Sequence, residues 1–262
     1  MAEIDVITQG FGVGTNEGMI SYCGITLIKG EHMTLVDVGY PARRQILLER
    51  LAQRGIKATD IDRIVITHAH WDHSLNILMF PNAEVVVSQT EFDYMQKPHP
   101  LDQATPLYLP DILNRAKGVL KVRDGDELEP TVRVMSVPGH SPGSIAVLVE
   151  TADGIAGMVG DALPSRKAAM ADPPSAGLIF FDEEEGEKSA RKIIDTCKVV
   201  YPGHDRPFAI ANGGFKYIQP QSVIITNVPR DEDGTTLHYS VDESSKPFEV
   251  TVYPTAKPKA KK

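Results

Sequence analysis

Short apolar runs, rich in valine and isoleucine, recur along the first two hundred positions of this chain. Half of them close on glycine, proline or aspartate. Such runs, bounded by turn-forming residues, predict buried strands. Strands are expected at residues 4–8, 19–29, 33–36, 61–66, 83–88, 119–122, 132–137, 144–150, 155–159 and 198–201. Between residues 42 and 54 the period changes. There Ile46, Leu47 and Leu51 share one face, Arg43, Arg44, Glu49 and Arg50 lie elsewhere, Pro41 stands in front and Gly55 behind. That is an amphipathic helix with its start and stop signals, packed on a sheet. Residues 183–196 run from acidic to basic, the order that suits a helix dipole. Shorter helices are expected at 74–80 and 90–96, the second capped by Thr90.

Other stretches resist regular structure. Residues 97–110 hold Pro98, Pro100, Pro106 and Pro110, and read as a loop walling a pocket. Residues 163–182, with Pro164, Pro173 and Pro174, read as irregular too. The glycine-rich segment 9–18 lacks the lysine of a phosphate loop and is expected to be a flexible loop beside the pocket. Phe180 and Phe181 are expected in the core. Beyond position 208 the pattern turns strand-like again at 217–228, 235–241 and 248–253, with a hairpin turn at Asp231-Glu232-Asp233-Gly234. The expected organisation is one domain over 1–207, a β-rich extension of it over 208–256, and a basic disordered tail over 257–262. The extension would cover a sheet edge or pair with a second copy, giving a homodimer.

Composition narrows the function. A net charge of -8 argues against a long basic groove for nucleic acid. No run is long and apolar enough to span a membrane, and the N-terminus has no basic, apolar leader. Cys23 and Cys197 are the only cysteines and lie far apart, which predicts a reducing, cytoplasmic setting. The partner expected is a small molecule.

Chemistry concentrates in Thr67-His68-Ala69-His70-Trp71-Asp72-His73, directly after an apolar run. On a helix, His68 and His70 would face different ways, so the segment reads as a loop that turns imidazoles into one small volume. Four further residues sit at strand ends: Asp37, His140 within Pro138-Gly139-His140-Ser141-Pro142-Gly143, Asp161 after Gly160, and His204 after Gly203. Ligands at one edge of a sheet can converge. Without Asp37, seven donors remain, too many for one tetrahedral ion. They suit two divalent ions sharing a carboxylate, about 3.5–4 Å apart with a water between them. Such a pair brings bound water towards a pKa of ~7. With two carboxylates and a hydroxide the site keeps net positive charge, which favours a developing oxyanion. No serine or cysteine nucleophile is required.

This set, over residues 4–207, resembles the metallo-β-lactamase-fold hydrolases. The resemblance implies an α/β chain folded as a four-layer αβ/βα sandwich, here with a C-terminal antiparallel β extension. It implies that His68, His70 and His140 hold one ion, that Asp72, His73 and His204 hold the other, and that Asp161 bridges. Asp37 would orient ligands without binding metal. Zinc is the first choice of ion, with iron or manganese as alternatives. The motifs around His140 and His204 are similar to the lactonase branch, which includes acyl-homoserine lactonases. That branch carries a tyrosine three positions after the bridging aspartate, where this chain has Pro164. Tyr108 is then a candidate for polarising the carbonyl, and Arg166 for gripping a substrate carboxylate.

The expected activity is hydrolysis of a lactone or related cyclic or activated ester by metal-bound hydroxide, with Asp72 and Asp161 as candidate proton carriers. A thioesterase like the second glyoxalase enzyme is the nearest alternative. A phosphodiesterase or nuclease on the same fold comes after it, since the acidic balance offers no basic strip.

Overall fold

In this computed structural model residues 2–16, 18–175, 179–211 and 213–224 are described. The chain opens with β1 (Glu3–Thr8), a hairpin of β2 (Phe11–Thr15) and β3 (Gly18–Tyr22), then β4 (Ile25–Lys29) and β5 (Met33–Val36). Helix α1 (Arg44–Ala52) leads to β6 (Arg63–Val65), a single turn α2 (Trp71–Ser74), β7 (Glu84–Ser88), α3 (Gln89–Tyr94), α4 (Leu109–Asn114) and β8 (Gly118–Val122). The second half holds β9 (Glu127–Glu129), β10 (Val132–Ser136), β11 (Ile145–Thr151), β12 (Gly154–Gly160), α5 (Arg166–Ala169), α6 (Glu183–Thr196), β13 (Val199–Pro202), β14 (Phe208–Ala211) and β15 (Gly214–Tyr217).

Two large sheets result. One runs in the order β1-β4-β5-β6-β7-β8 and the other β15-β14-β13-β12-β11-β10-β9, while β2 and β3 pair only with each other. In the first sheet β5 to β8 are parallel. Parallel strands need both faces covered, which is why their sequences are apolar at consecutive positions. Leu35, Ile64 and Val85 face α1 and α4, where they meet Leu47, Leu51, Leu109 and Leu113. Their chain neighbours Val36, Val65 and Val86 face the other sheet and meet Val134, Val147 and Met158. On the far side of the second sheet, Ala146 and Leu148 pack on Ala190 and Ile193 of α6. The expected αβ/βα sandwich is therefore present, layer by layer, and antiparallel β14 and β15 extend its second sheet.

Several local expectations are corrected. Of the expected loop 9–18, Phe11–Thr15 and Gly18 belong to the β2–β3 hairpin, closed by Phe11 stacked on Tyr22 and by Thr15 Oγ1 donating to the Gly18 carbonyl. The run 19–29 breaks at Cys23-Gly24 into β3 and β4. The helix at 74–80 is instead one turn at Trp71–Ser74 followed by a 3-10 turn at Ile77–Met79. Helix α3 is capped by Ser88, whose Oγ accepts from Glu91 N, and Thr90 lies inside it. The proline-rich loop ends earlier than expected, because Pro110 sits in the first turn of α4, where its missing N–H costs nothing. Likewise α5 interrupts residues 163–182, capped by Ser165. The strand expected over 217–228 stops at Tyr217, and residues 218–224 are irregular. The expected strands at 235–241 and 248–253, the turn at 231–234 and the tail at 257–262 lie outside the described residues. Among the described residues no helix is long and apolar enough to cross a membrane. Cys23 and Cys197 are both free and buried; burial pushes the Cys197 thiol up to about 12.

Candidate metal centre

The strand ends deliver the side chains. The segment after β6 carries His68 and His70, and α2 carries Asp72 and His73. The segment between β10 and β11 carries His140, the end of β12 leads to Asp161, and the end of β13 leads to His204. Close approach requires glycine at two of these loops. A Cβ on Gly203 would overlap the Asp161 carboxylate. Gly139, at φ +136, runs against the backbone of Gly186 in α6.

Donor atoms converge in three overlapping groups: His68, His70 and His140; His68, His73 and Asp161; and Asp72, His73 and His204. His70 Nδ1 and His140 Nε2 are 2.9 Å apart. Asp161 Oδ2 lies 3.5 Å from His140 Nε2 and 3.1 Å from His204 Nε2, and its Oδ1 lies 3.4 Å from His73 Nε2. Asp72 Oδ2 is 3.3 Å from His204 Nε2 and 3.7 Å from His73 Nε2. Ligands about 2.05 Å from a tetrahedral ion stand roughly 3.3 Å from one another. The observed spacings straddle that edge length.

The outward nitrogens explain why the inward ones carry lone pairs. Asp37 accepts from Thr67 N at 2.8 Å, Thr67 Oγ1 at 2.9 Å and His73 Nδ1 at 2.8 Å. With its own proton given to Asp37, Thr67 Oγ1 is left to accept from His68 Nδ1, 3.1 Å away. Ser21 Oγ donates to the Phe11 carbonyl and so accepts from His204 Nδ1 at 2.9 Å. In their neutral forms, the ones a metal would bind, His68, His73 and His204 are thereby placed in the tautomer that puts the lone pair on Nε2 and points it inward. His68 Nε2, His73 Nε2 and Asp161 Oδ1 are buried without a hydrogen-bond partner among the described residues. Buried polar atoms left unpaired are costly, and a divalent cation would satisfy all three. The donor set fits such ions.

In the metal-free chain electrostatics set His68 apart from His73. Burial, followed by the neighbouring imidazoles, holds His68 well below the ordinary histidine range. Burial opposes charge on His73, but Asp72, Asp161 and Asp37 outweigh it and hold its pKa well above that range. Burial would raise the Asp161 carboxyl, yet His204 and His73 hold it well below the usual carboxylate range.

A cleft of about 390 Å³ opens over the cluster. Its walls include Gly12, Met19, Trp71, Ala104, Pro164 and Phe180, with His70, Asp72, His140, Asp161 and His204 at its floor. Ala104 belongs to the proline-rich loop expected to wall a pocket. Phe180 corrects its core assignment, since its ring stands 4.9 Å from that of His70. Tyr108 and Arg166 are not among the lining residues. Tyr108 is 55% exposed at the start of α4. Arg166 instead donates to the Phe215 carbonyl and lies over the Tyr217 ring. A guanidinium used in tying α5 to β15 is not positioned for a substrate carboxylate. Outside the cluster, His32 lies 3.6 Å from Asp62 and the His99 ring accepts from Leu101 N.

Three contributors escaped the sequence reading. Ser21 came from the run 19–29, read as one continuous strand; alternating positions across Phe11–Tyr22 could have indicated the hairpin, though not its contact with His204. Glu91 is fully buried and accepts from Ala69 N at 2.8 Å, Ser141 Oγ at 2.9 Å and Gly143 N at 2.8 Å. It ties the loop of His68 and His70 to the loop of His140. Asp102, from the proline-rich loop, places Oδ1 3.7 Å from His70 Nε2. No local pattern marked either acid.

Comparisons with known proteins agree with this geometry. The family model described as Metallo-beta-lactamase superfamily matches residues 21–204. "Metallo-beta-lactamase domain-containing protein 1" of Xenopus laevis is 29% identical over 217 residues, covering 80% of this chain and 83% of that protein. The chain spans between 59% and 65% of the mammalian proteins of that name. "N-acyl homoserine lactonase" of Bacillus cereus is 29% identical over 161 residues, covering 59% of this chain and 60% of that one. Among solved structures, AidC, a dizinc quorum-quenching lactonase in complex with N-hexanoyl-L-homoserine, matches with a TM-score of 0.59 at 22% identity. It covers 80% of this chain and 83% of that one.

Proposed function

The chain belongs to the metallo-beta-lactamase superfamily, and we propose that it is a dinuclear hydrolase opening a lactone or related cyclic or activated ester. In this reading His68, His70 and His140 would hold one divalent ion, Asp72, His73 and His204 would hold a second, and Asp161 would serve both. Zinc is the proposed ion. The observation that carries the reading is the reach of Asp161: one carboxylate stands within 3.5 Å of His140 on one side and of His73 and His204 on the other. Divalent ions bound there supply an activated water and a positive field for a carbonyl oxygen.

The chain's own groups do the rest. Trp71, Phe180 and Met19 shape the cleft and keep it apolar. Asp72 lines the cleft and is the proposed carrier of a proton to the departing alkoxide. Pro164 gives its wall no hydroxyl. Beside it Ser165 Oγ accepts from Ala168 N, a bond that does not engage the serine proton, so this hydroxyl is the proposed hydrogen-bond donor to the substrate.

Among the described residues no lysine or arginine lines the cleft. A phosphodiester or the carboxylates of a glutathione thioester would call for cationic partners. An uncharged small-molecule ester does not, which ranks it above those two readings. The lactonases among the relatives and structural neighbours support the same choice. Metal analysis of the purified protein, together with a panel of lactones, thioesters and phosphodiesters, tests it. Two equivalents of metal and lactone turnover are expected. Turnover of phosphodiesters alone would overturn it.

A further inference from the structure

The donor atoms of His70 are arranged differently from those of its neighbours. Its Nδ1 faces the cluster, 2.9 Å from His140 Nε2. A lone pair on Nδ1 requires the proton on Nε2. That nitrogen is buried and has no hydrogen-bond partner among the described residues. What faces it is Asp102 Oδ1, at 3.7 Å.

Asp102 is built into place. Its side chain is fully shielded from solvent. Oδ1 accepts from Ala104 N at 2.9 Å and Thr105 N at 3.0 Å, and Oδ2 accepts from Tyr94 Oη and Thr105 Oγ1, both at 2.8 Å. The same loop is pinned to the ligand segment through Trp71 N, which donates to the Ala104 carbonyl at 2.9 Å. Burying a carboxylate is costly unless it does something for a charge nearby.

We infer that Asp102 is a positioning residue for the first metal group, receiving the outward N–H of His70 and fixing the tautomer that turns Nδ1 inward. It does for His70 what Asp37 does for His73 directly and for His68 through Thr67. The inference rests on reading the cluster as a metal centre, and it makes the proline-rich loop a support of that centre as well as a wall of the cleft.

The test is the Asp102→Asn variant. Its amide oxygen can keep the bonds from Ala104 N and Thr105 N, and the hydroxyls of Tyr94 and Thr105 can rotate to accept from its NH2. Shape and an uncharged acceptor facing His70 are thus preserved, and what is lost is the carboxylate charge that strengthens the bond to the outward N–H and raises the basicity of Nδ1. Chelator competition should show one of the two metal equivalents bound about 10–100-fold more weakly and the other unchanged, since outer partners act on their own ligand. In the cobalt-loaded variant, visible absorption should change for that equivalent only. Leu101→Ala serves as the structural control. It changes a neighbouring, 38% exposed side chain of the same loop and leaves the carboxylate and its four hydrogen bonds in place, so it should retain wild-type binding of both equivalents. Thermal unfolding of the metal-free forms reports any loss of fold. Two equivalents bound as tightly by Asp102→Asn as by the wild type, or equal weakening in Asp102→Asn and Leu101→Ala, would overturn the inference alone. A wild-type chain that binds no metal would overturn it together with the metal reading.

Discussion

The two ligand groups proposed for the centre are supported unequally. Around His68, His70 and His140 the supports are carboxylates inside the fold: Asp37 acts through Thr67, Asp102 faces His70, and Glu91 ties the two ligand loops together. His73 shares the Asp37 support, but His204, 15% exposed at its side chain, leans on Ser21 of the β2–β3 hairpin. That hairpin joins neither large sheet and leaves Val13, Met19 and Ile20 between 41% and 51% exposed. A two-stranded element with few buried contacts opens more easily than a core strand. One side of the centre is thus fixed by the core, while the side nearer the cleft mouth depends on an element at the surface.

Stripping divalent metal is the largest perturbation and should abolish hydrolysis, with recovery on adding zinc. An activity assay before and after chelation checks this, and full turnover without metal would remove the distinction between the groups altogether. Glu91→Ala comes next. It leaves Ala69 N, Gly143 N and the Ser141 hydroxyl without their acceptor in the core. At about 1–3 kcal/mol for each unpaired buried group, a loss of about 3 kcal/mol or more is expected in urea unfolding. A smaller loss would mean that the two loops hold their spacing without this tie.

Ser21→Ala should weaken the second metal equivalent about 10-fold or more and change stability by less than about 1 kcal/mol. Metal titration with denaturation of the same variant separates these effects. Equal weakening of both equivalents would show that the hairpin serves the whole centre. A pH series sharpens the contrast further. Burial opposes charge on His73 and His204, but the surrounding aspartates hold both pKa values above the ordinary range. In the metal-free chain these ligands therefore carry protons to higher pH than a free histidine, and an incoming cation must displace them. Affinity should fall as pH is lowered, by up to about tenfold per pH unit for each proton displaced, with proton release on metal uptake in weakly buffered solution. The smallest effect belongs to Ile20→Ser, on the exposed side of the hairpin, which should shift stability by no more than about 0.5 kcal/mol. A large shift would mean that this surface is covered in solution.

Much of the molecule was legible in the chain itself. Consecutive apolar positions at 64–66 and 85–87 mark strands buried on both faces, and the two cores that sandwich them follow. The donors His68, His70, Asp72, His73, His140, Asp161 and His204 were readable because each stands where an apolar run meets glycine, proline or a dense histidine cluster. Boundaries were less legible. Ser88 displaced Thr90 as the cap of α3 because its hydroxyl also reaches the Gly143 carbonyl, a partner 55 residues away.

What the sequence determined by itself is the apolar central strands of the two sheets and the donors at their ends, since both arise from local alternation and turn chemistry. Tertiary structure alone decided the outward partners. Ser21 is 183 residues from His204, and Glu91 lies 50 and 52 residues from Ser141 and Gly143. A lone serine or acid carries no periodicity and no turn signal. Its role exists only once packing has removed water and brought a particular nitrogen within reach. The same logic took Arg166 from the cleft: its charge was visible in the chain, but the carbonyl and aromatic ring that engage it come from β15.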